Sequence, residues 1–235
     1  MTAPLISVVI PAYREDAYLR RLLEALKGVS GTEAIVSVPF GDELSKNAAA
    51  PFGVKVVEGE GGRGMQLHNG AKKAAGEILL FCHADTMLPD GWKEAVVDTM
   101  KRQWVCAGAF MLSVDSPKLS HRAVAFVANI RARALGLVYG DQALFIRRNL
   151  YFECGGFKPL PIMEDVDIVF RLKRLGRFAL LSKAVVTSAR RWEKEGVAYS
   201  VLRNAALIIL YLLGVSPEKL ANWRRRRSSG RTSLL

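Results

Sequence analysis

The chain has 235 residues, 50% of them hydrophobic, and a formal net charge of +12. That is enough apolar material for a sizeable core and too much for a disordered chain. Its three cysteines make neither a disulfide framework nor a paired Cys-x-x-Cys zinc spacing, so Cys82 and Cys106, set in apolar runs, read as buried thiols in a reducing cytoplasm.

Residues 5–11 predict a first buried strand closed by Pro11. No basic region precedes it, and Val8-Val9-Ile10 is too short for a signal core, so a secretory leader is not expected. Asp16 is a good N-cap for a helix whose Leu19, Leu22, Leu23 and Leu26 fall at i, i+3, i+4, i+7, with Gly28 as its stop. Residues 34–39 read as a second strand running into the loop Phe40-Gly41-Asp42-Glu43, and residues 54–57 as a third. The glycines Gly59, Gly61, Gly62 and Gly64 precede a helix over about residues 65–75. Ile78 to Phe81 form an unbroken apolar run between Gly76 and the polar group His83 to Thr86, the mark of a strand buried on both faces. This alternation predicts an α/β fold with a mostly parallel sheet.

Farther on, Pro89-Asp90-Gly91 turns into a helix over 92–101. A longer strand over 104–114 and a helix over 119–135 follow. Gly140-Asp141-Gln142 precedes a short strand at 143–146, and residues 155–163 are loop by composition. Glu164 and Asp165 open another helix, and two short strands are expected at 177–181 and 184–187. No internal repeat or domain linker interrupts this series.

Three stretches carry candidate chemistry. In an open α/β sheet the ligand crevice forms outside the carboxyl ends of the strands, where His83 and Asp85 fall. Read locally, Asp85 and Thr86 would simply cap a helix. The glycine cluster suits phosphate binding at a helix N-terminus, with Arg63 adding a bidentate grip, or else a plain surface loop. It lacks the Gly-Lys-Ser/Thr of a P-loop and does not match the dinucleotide fingerprint. Glu164 and Asp165 favour a helix dipole in any protein, but a carboxylate after a Gly/Pro-rich loop is also placed to act as a general base.

Taken together, these pieces resemble the family 2 glycosyltransferases of the GT-A, or nucleotide-diphospho-sugar transferase, fold. The resemblance is collinear over about residues 4–195. It rests on Ser7 to Glu15, on Asn69-Gly70-Ala71 with Ala75 to Ile78, on His83-Ala84-Asp85 at the position of an Asp-x-Asp motif, and on Glu164-Asp165 at the family's Glu-Asp motif. The wording Gly-Arg-Gly-x-Gln, His-Ala-Asp-Thr, Gly-Asp-Gln and Pro-Ile-Met-Glu-Asp is similar to a bacterial subgroup. The resemblance implies an inverting transfer from a nucleotide-diphospho-sugar to an acceptor hydroxyl, with Asp165 as general base beside Glu164. It implies that Pro11, Tyr13, Glu15 and Asp42 line the nucleotide, with Arg63, Asn69 and His83 facing nucleotide or diphosphate. Asp141 and Gln142 would meet the sugars, and Arg190 or Arg191 would neutralise the diphosphate. Asp85 would hold a divalent cation, Mn2+ or Mg2+. His83 replaces the motif's first Asp, and Pro39-Phe40-Gly41-Asp42-Glu43 replaces the usual Asp-Gly-Ser-x-Asp. A sugar-1-phosphate nucleotidyltransferase of the same fold and a non-catalytic sugar-nucleotide binder are the alternatives. The first is disfavoured because Pro11 to Glu15 contain no glycine.

The catalytic domain is expected over 1–195, apolar helices over 196–223, and a disordered basic tail over 224–235, which holds Arg224, Arg225, Arg226, Arg227 and Arg231 without an acid. The uncharged stretch Ala205 to Leu213 is well short of the roughly 20 residues of a membrane span. Packing on the catalytic domain, a homodimer contact, and a membrane-surface helix serving a lipid-linked acceptor at the inner face of the membrane remain open for it. The charge alone does not indicate nucleic acid, and no nucleic-acid motif is present.

Overall fold

A computed structural model of the chain describes residues 5–229, with side chains described through Arg225. The first half comprises β1 (Ile6–Pro11), α1 (Ala17–Leu26), β2 (Thr32–Pro39), α2 (Glu43–Ala49), β3 (Lys55–Gly59), α3 (Arg63–Lys72), β4 (Ile78–Phe81), β5 (Thr86–Met87) and α4 (Trp92–Met100). Then come β6 (Val105–Asp115), α5 (Leu119–Leu135), a 3₁₀ turn (Gly140–Gln142), β7 (Leu144–Arg147), α6 (Arg148–Glu153), α7 (Glu164–Leu172) and β8 (Arg177–Ser188). The chain ends in α8 (Arg190–Glu195), α9 (Val197–Leu212) and α10 (Pro217–Ser229).

One eight-stranded sheet runs in the order β3-β2-β1-β4-β7-β6-β8-β5. β1 pairs in parallel with β2 and β4, β2 with β3, and β6 with β8. β7 runs against both β4 and β6, and β5 against β8. The reversal of β7 matters for function. The segment before β7 arrives at the same edge as the segment after β4, with Phe81 paired to Leu144.

Alternation along the buried strands divides the core into two layers. Val8, Ile10 and Leu80 face α1 and α4, packing with Leu19, Leu22, Leu23, Trp92 and Val96. Val9, Leu79 and Phe81 face α3 and α7, packing with Leu67, Ala71, Ile168 and Val169. Each fully buried leucine or isoleucine in these layers contributes about 1.5–3 kcal/mol. Gly70 lets α3 lie directly on β1, because a methyl there would run into Val9.

Besides three short elements the sequence did not suggest, β5, α6 and α8, the structure departs from expectation in four places. Glu43 to Ala49 form α2, because Asp42 caps it by accepting from the Ser45 amide. α3 begins at Arg63, two residues earlier than expected. Residues 177–188 form one long strand beside β6, with a register irregularity where two strands were expected. The basic segment from Arg224 is not a tail as far as Ser229. α10 carries it as helix, anchored by Leu220 and Ala221 packing on Ile162 and Leu207. Residues 230–235 of the expected tail lie outside the described residues.

Candidate functional site

The site is built at one edge of the sheet. The carboxyl ends of β1, β2, β4 and β8 meet there with the amino end of β7 and the start of α7. Among the described residues, three non-glycine residues have positive φ: Arg14 (52°), Ala143 (47°) and Met163 (68°). Each lies in a loop that presents candidate site residues. Strained backbone of this kind costs roughly 1–3 kcal/mol per residue and persists where the surroundings impose it.

On the β1–β2 side, Asp42 organises the loop after Pro11. Its carboxylate accepts from the Arg14 amide at 2.7 Å and from the Ser45 hydroxyl at 2.7 Å, and that hydroxyl accepts from the Glu15 amide at 3.0 Å. Burial works against the charge on Asp42, but the Arg14 and Ser45 groups hold its pKa below the usual carboxylate range. Asp42 is therefore a buried clamp for the loop, while Tyr13 stands exposed at 59%. Gln66 of α3 ties the same strand ends together, donating to the Ala12 and Ser37 carbonyls at 2.7 and 2.9 Å. Asn69 packs against Gly59 at the end of β3.

Asp85 follows β4 and is pinned to β8 by the Ser188 amide, which donates to its carbonyl at 3.1 Å. Its carboxylate pairs with Arg190 at 3.1 Å. The same guanidinium also binds Glu15, with Nη1 donating to Oε2 at 3.1 Å, and lies over the Tyr18 ring at 4.7 Å. Burial raises the Asp85 pKa, Arg190 draws it down, and nearby Glu15 pushes it up again, leaving it above the usual value. Two carboxylates and one arginine thus close around a single point at the β1–β4 edge. No three His, Cys, Asp or Glu side chains form a ready-made metal cage among the described residues.

Across the cleft, Asp165 opens α7. Its Oδ2 accepts from the Gly140 amide at 2.9 Å and its Oδ1 from the Val166 amide at 2.8 Å. Glu164 is turned inward with its side chain 2% exposed and is bonded to Arg63, whose Nη2 lies 3.9 Å from Asp165. Arg63 therefore bridges α3 to α7. Burial raises the Glu164 pKa; Arg63 lowers it and Asp165 raises it, with a net upward shift. Gly64 allows this junction, since a Cβ there would stand 2.5 Å from the Lys158 carbonyl.

His83 lies between these two sides, against Gly140, where a Cβ would stand 2.8 Å from its Nε2. Burial, with Arg63 and Arg191 close by, holds its pKa well below the usual histidine value, so the ring is neutral at neutral pH. Asp141 is buried and 3.7 Å from Arg191. Burial raises its pKa against the pull of Arg191 and Arg131. Gln142 is fully buried. Its amide donates to the Phe110 carbonyl at 3.0 Å and accepts from Arg131 at 3.1 Å, so it shapes the turn that carries Gly140 and Asp141.

His83, Asp141 and Arg191 share a cleft of about 90 Å³ with Arg63, Tyr139, Met163, Asp165, Asn204, Leu207 and Arg224. His83 Nε2, Asp141 Oδ1 and Arg191 Nε are buried without a hydrogen-bond partner. Buried polar atoms are normally paired, so three orphans in one cleft point to the polar groups of a ligand. Sequence reasoning missed Tyr18, Ser45, Gln66, Asn204 and Arg224. The Gly-Arg-Gly-x-Gln wording contained Gln66; nothing local marks the others, which come to the site only through tertiary packing.

The fold is that of the nucleotide-diphospho-sugar transferases. Residues 7–160 match the family described as Glycosyl transferase family 2, and the chain belongs to that family. No curated protein matches the chain. Among solved structures it is similar to TarS 1-349 of S. aureus in complex with UDP-GlcNAc, with a TM-score of 0.62 and 17% identity over 78% of this chain and 58% of that one. TarS 1-349 in complex with UDP gives 0.60 and 17%, covering 78% and 60% of the two chains. TarS 1-349 alone gives 0.60 and 20%, covering 87% and 65%. The chain thus spans less than two thirds of the TarS fragment, and at these identities the likeness speaks for the fold.

Proposed function

We propose that the chain is an inverting glycosyltransferase that moves a sugar from a nucleotide-diphospho-sugar to an acceptor hydroxyl. The observation that carries this reading is Asp165, held by two backbone amides at the rim of a cleft that also contains His83, Asp141 and Arg191. In this reading Asp165 Oδ2 removes the acceptor proton while the donor sugar leaves its diphosphate, and the sugar carbon inverts in a single displacement. No second carboxylate nucleophile is required. Glu164 and Arg63 position Asp165 from beneath.

Tyr13 offers an exposed ring to the nucleotide base, and Pro11, Glu15 and the Asp42 clamp shape the loop around it. Asn69 supports the floor. Arg190 and Arg191 sit where charge on the leaving diphosphate grows, and cations there stabilise the transition state. Neutral His83 presents a hydrogen-bonding nitrogen to the donor, and Asp141 faces the sugar from a turn shaped by Gln142.

The donor set at Asp85 suits a cation that takes most of its ligands from phosphate and water, the habit of magnesium and manganese, with Asp85 as its protein carboxylate. When bound, Mn2+ or Mg2+ would neutralise the diphosphate oxygens. Arg190, bonded to both Asp85 and Glu15, offers a positive charge to the same region without the cation.

The acceptor reading is a lipid-linked hydroxyl compound presented at the inner face of the cytoplasmic membrane, with α9 and α10 as the acceptor-side wall. Thermal shift with UDP and other nucleoside diphosphates, with and without Mn2+, followed by hydrolysis of the matching nucleotide-sugar, tests the donor reading. Absence of binding by every nucleoside diphosphate would sink it.

A further inference from the structure

We propose that the outer faces of α5 and α9 dock the protein onto an anionic lipid bilayer. The two helices pack together through Val124, Ala125 and Val197, with Trp192 beneath them. α9 buries Ser200, Arg203, Leu207 and Ile208 inward, and Arg203 is satisfied by Glu195 at 2.7 Å. Its opposite face exposes Leu202 at 70%, Ile209 at 58% and Leu212 at 56%. On α5 the outward residues include Leu119 at 77%, Phe126 at 66% and Ile130 at 47%. Folded proteins seldom leave so many large apolar side chains on two touching helices without a use for them.

The charges identify the occupant. Neither α5 nor α9 contains a single Asp or Glu. Arg122 and Arg133 are exposed on the same side of α5 as Phe126 and Ile130. A second copy of the chain seated symmetrically on this surface would bring arginines to arginines with no acid from either helix. An anionic bilayer supplies the missing charge, takes the apolar side chains below its headgroups, and lets the arginines reach upward along their stems. Among the described residues no helix is long and apolar enough to cross a membrane, so the contact is peripheral. The inner face of α9 lines the catalytic cleft through Asn204, Leu207 and Ile208. Docking therefore sets that cleft about one helix diameter, ~10 Å, from the lipid headgroups.

The test measures binding, so it stands apart from any assay of sugar transfer. The full chain is sedimented with vesicles of phosphatidylcholine alone or mixed with phosphatidylglycerol. Binding is expected only with phosphatidylglycerol, falling with added salt. Phe126→Gln with Leu202→Gln, both on exposed positions, should weaken it about tenfold while melting temperature and nucleoside-diphosphate binding stay unchanged. Unaltered vesicle binding in this double variant overturns the proposal. So does a variant with Arg224 to Arg227 changed to Gln that loses all binding while the Phe126/Leu202 variant loses none, since the contact then belongs to α10 alone. A wild-type dimer that ignores vesicles and that the double variant dissociates would instead make this face a protein interface.

Discussion

The Gly140 amide donates to Asp165 Oδ2 at 2.9 Å, joining the turn before β7 to the first residues of α7. Gly140 also lies against the His83 ring, and a Cβ there would meet Nε2 at 2.8 Å. One small residue therefore spaces a candidate base from a neutral imidazole. Asp165→Asn should reduce transfer by about 10²–10⁴-fold and leave donor affinity within a factor of about two. Gly140→Ala should lower kcat by about tenfold or more through misplacement of both groups and, unlike Asp165→Asn, should also weaken donor binding, because the displaced His83 faces the donor. Steady-state kinetics beside calorimetric UDP titration would check both; full turnover in Asp165→Asn would remove it as the base.

The fold was largely legible because its signals are local. Apolar runs such as Ile78 to Phe81 and the leucine spacing of α1 declare their elements directly, and α5 has the bounds Leu119–Leu135 that its sequence suggests. Glu164 and Asp165 show the limit. They are adjacent and chemically alike, yet one is sealed against Arg63 and the other faces the cleft, a difference set by residues 101 positions away. Arg224 was hidden for the same reason: a run of arginines reads as a solvated tail until Leu220 and Ala221 are seen to anchor it as helix. The reversal of β7 had no local signature either, since direction within a sheet is decided by the path of the intervening chain.

Arg190 joins Asp85 and Glu15, and this three-way contact closes the β1–β4 side of the site. Arg190→Gln should weaken nucleoside-diphosphate binding by about tenfold, more at low salt than at high, because a charge-assisted contact to phosphate is lost. Asp85→Ala should abolish any gain in affinity that Mn2+ gives. Titrations with and without Mn2+ distinguish the two residues, and a Mn2+ effect that survives in Asp85→Ala would reassign the cation site.

Arg63 and Glu164 form a part-buried pair that locks α3 to α7. Arg63→Ala leaves a carboxylate buried without its partner, which costs about 2–3 kcal/mol and should lower the melting temperature by roughly 4–12 °C. Arg63→Met with Glu164→Leu removes both charges and should recover much of that loss, since apolar replacement of a buried pair is often neutral or better. The recovered fold should still transfer sugar poorly, because Asp165 loses its neighbouring guanidinium. Denaturation midpoints and kcat of the single and double variants separate stability from positioning; equal stability of single and double variants would show that the pair is not coupled.

Asp141 gives a pH-dependent prediction. Burial keeps its pKa above the ordinary aspartate value of about 3.9 despite Arg191 and Arg131. Between that value and the raised one, the folded chain binds more protons than the unfolded chain, so this residue makes stability fall as pH rises through the window. Its carboxylate penalty is fully present above the folded pKa and absent below the unfolded one. Asp141→Asn lacks the penalty. Its stability relative to wild type should therefore increase from acid toward neutral pH and then level off, while contributions from Glu164, present in both proteins, cancel. Urea midpoints measured across the acid range test this. A difference independent of pH would mean that the two arginines offset burial completely, and that Asp141 is retained as a charge for the sugar at no cost in stability.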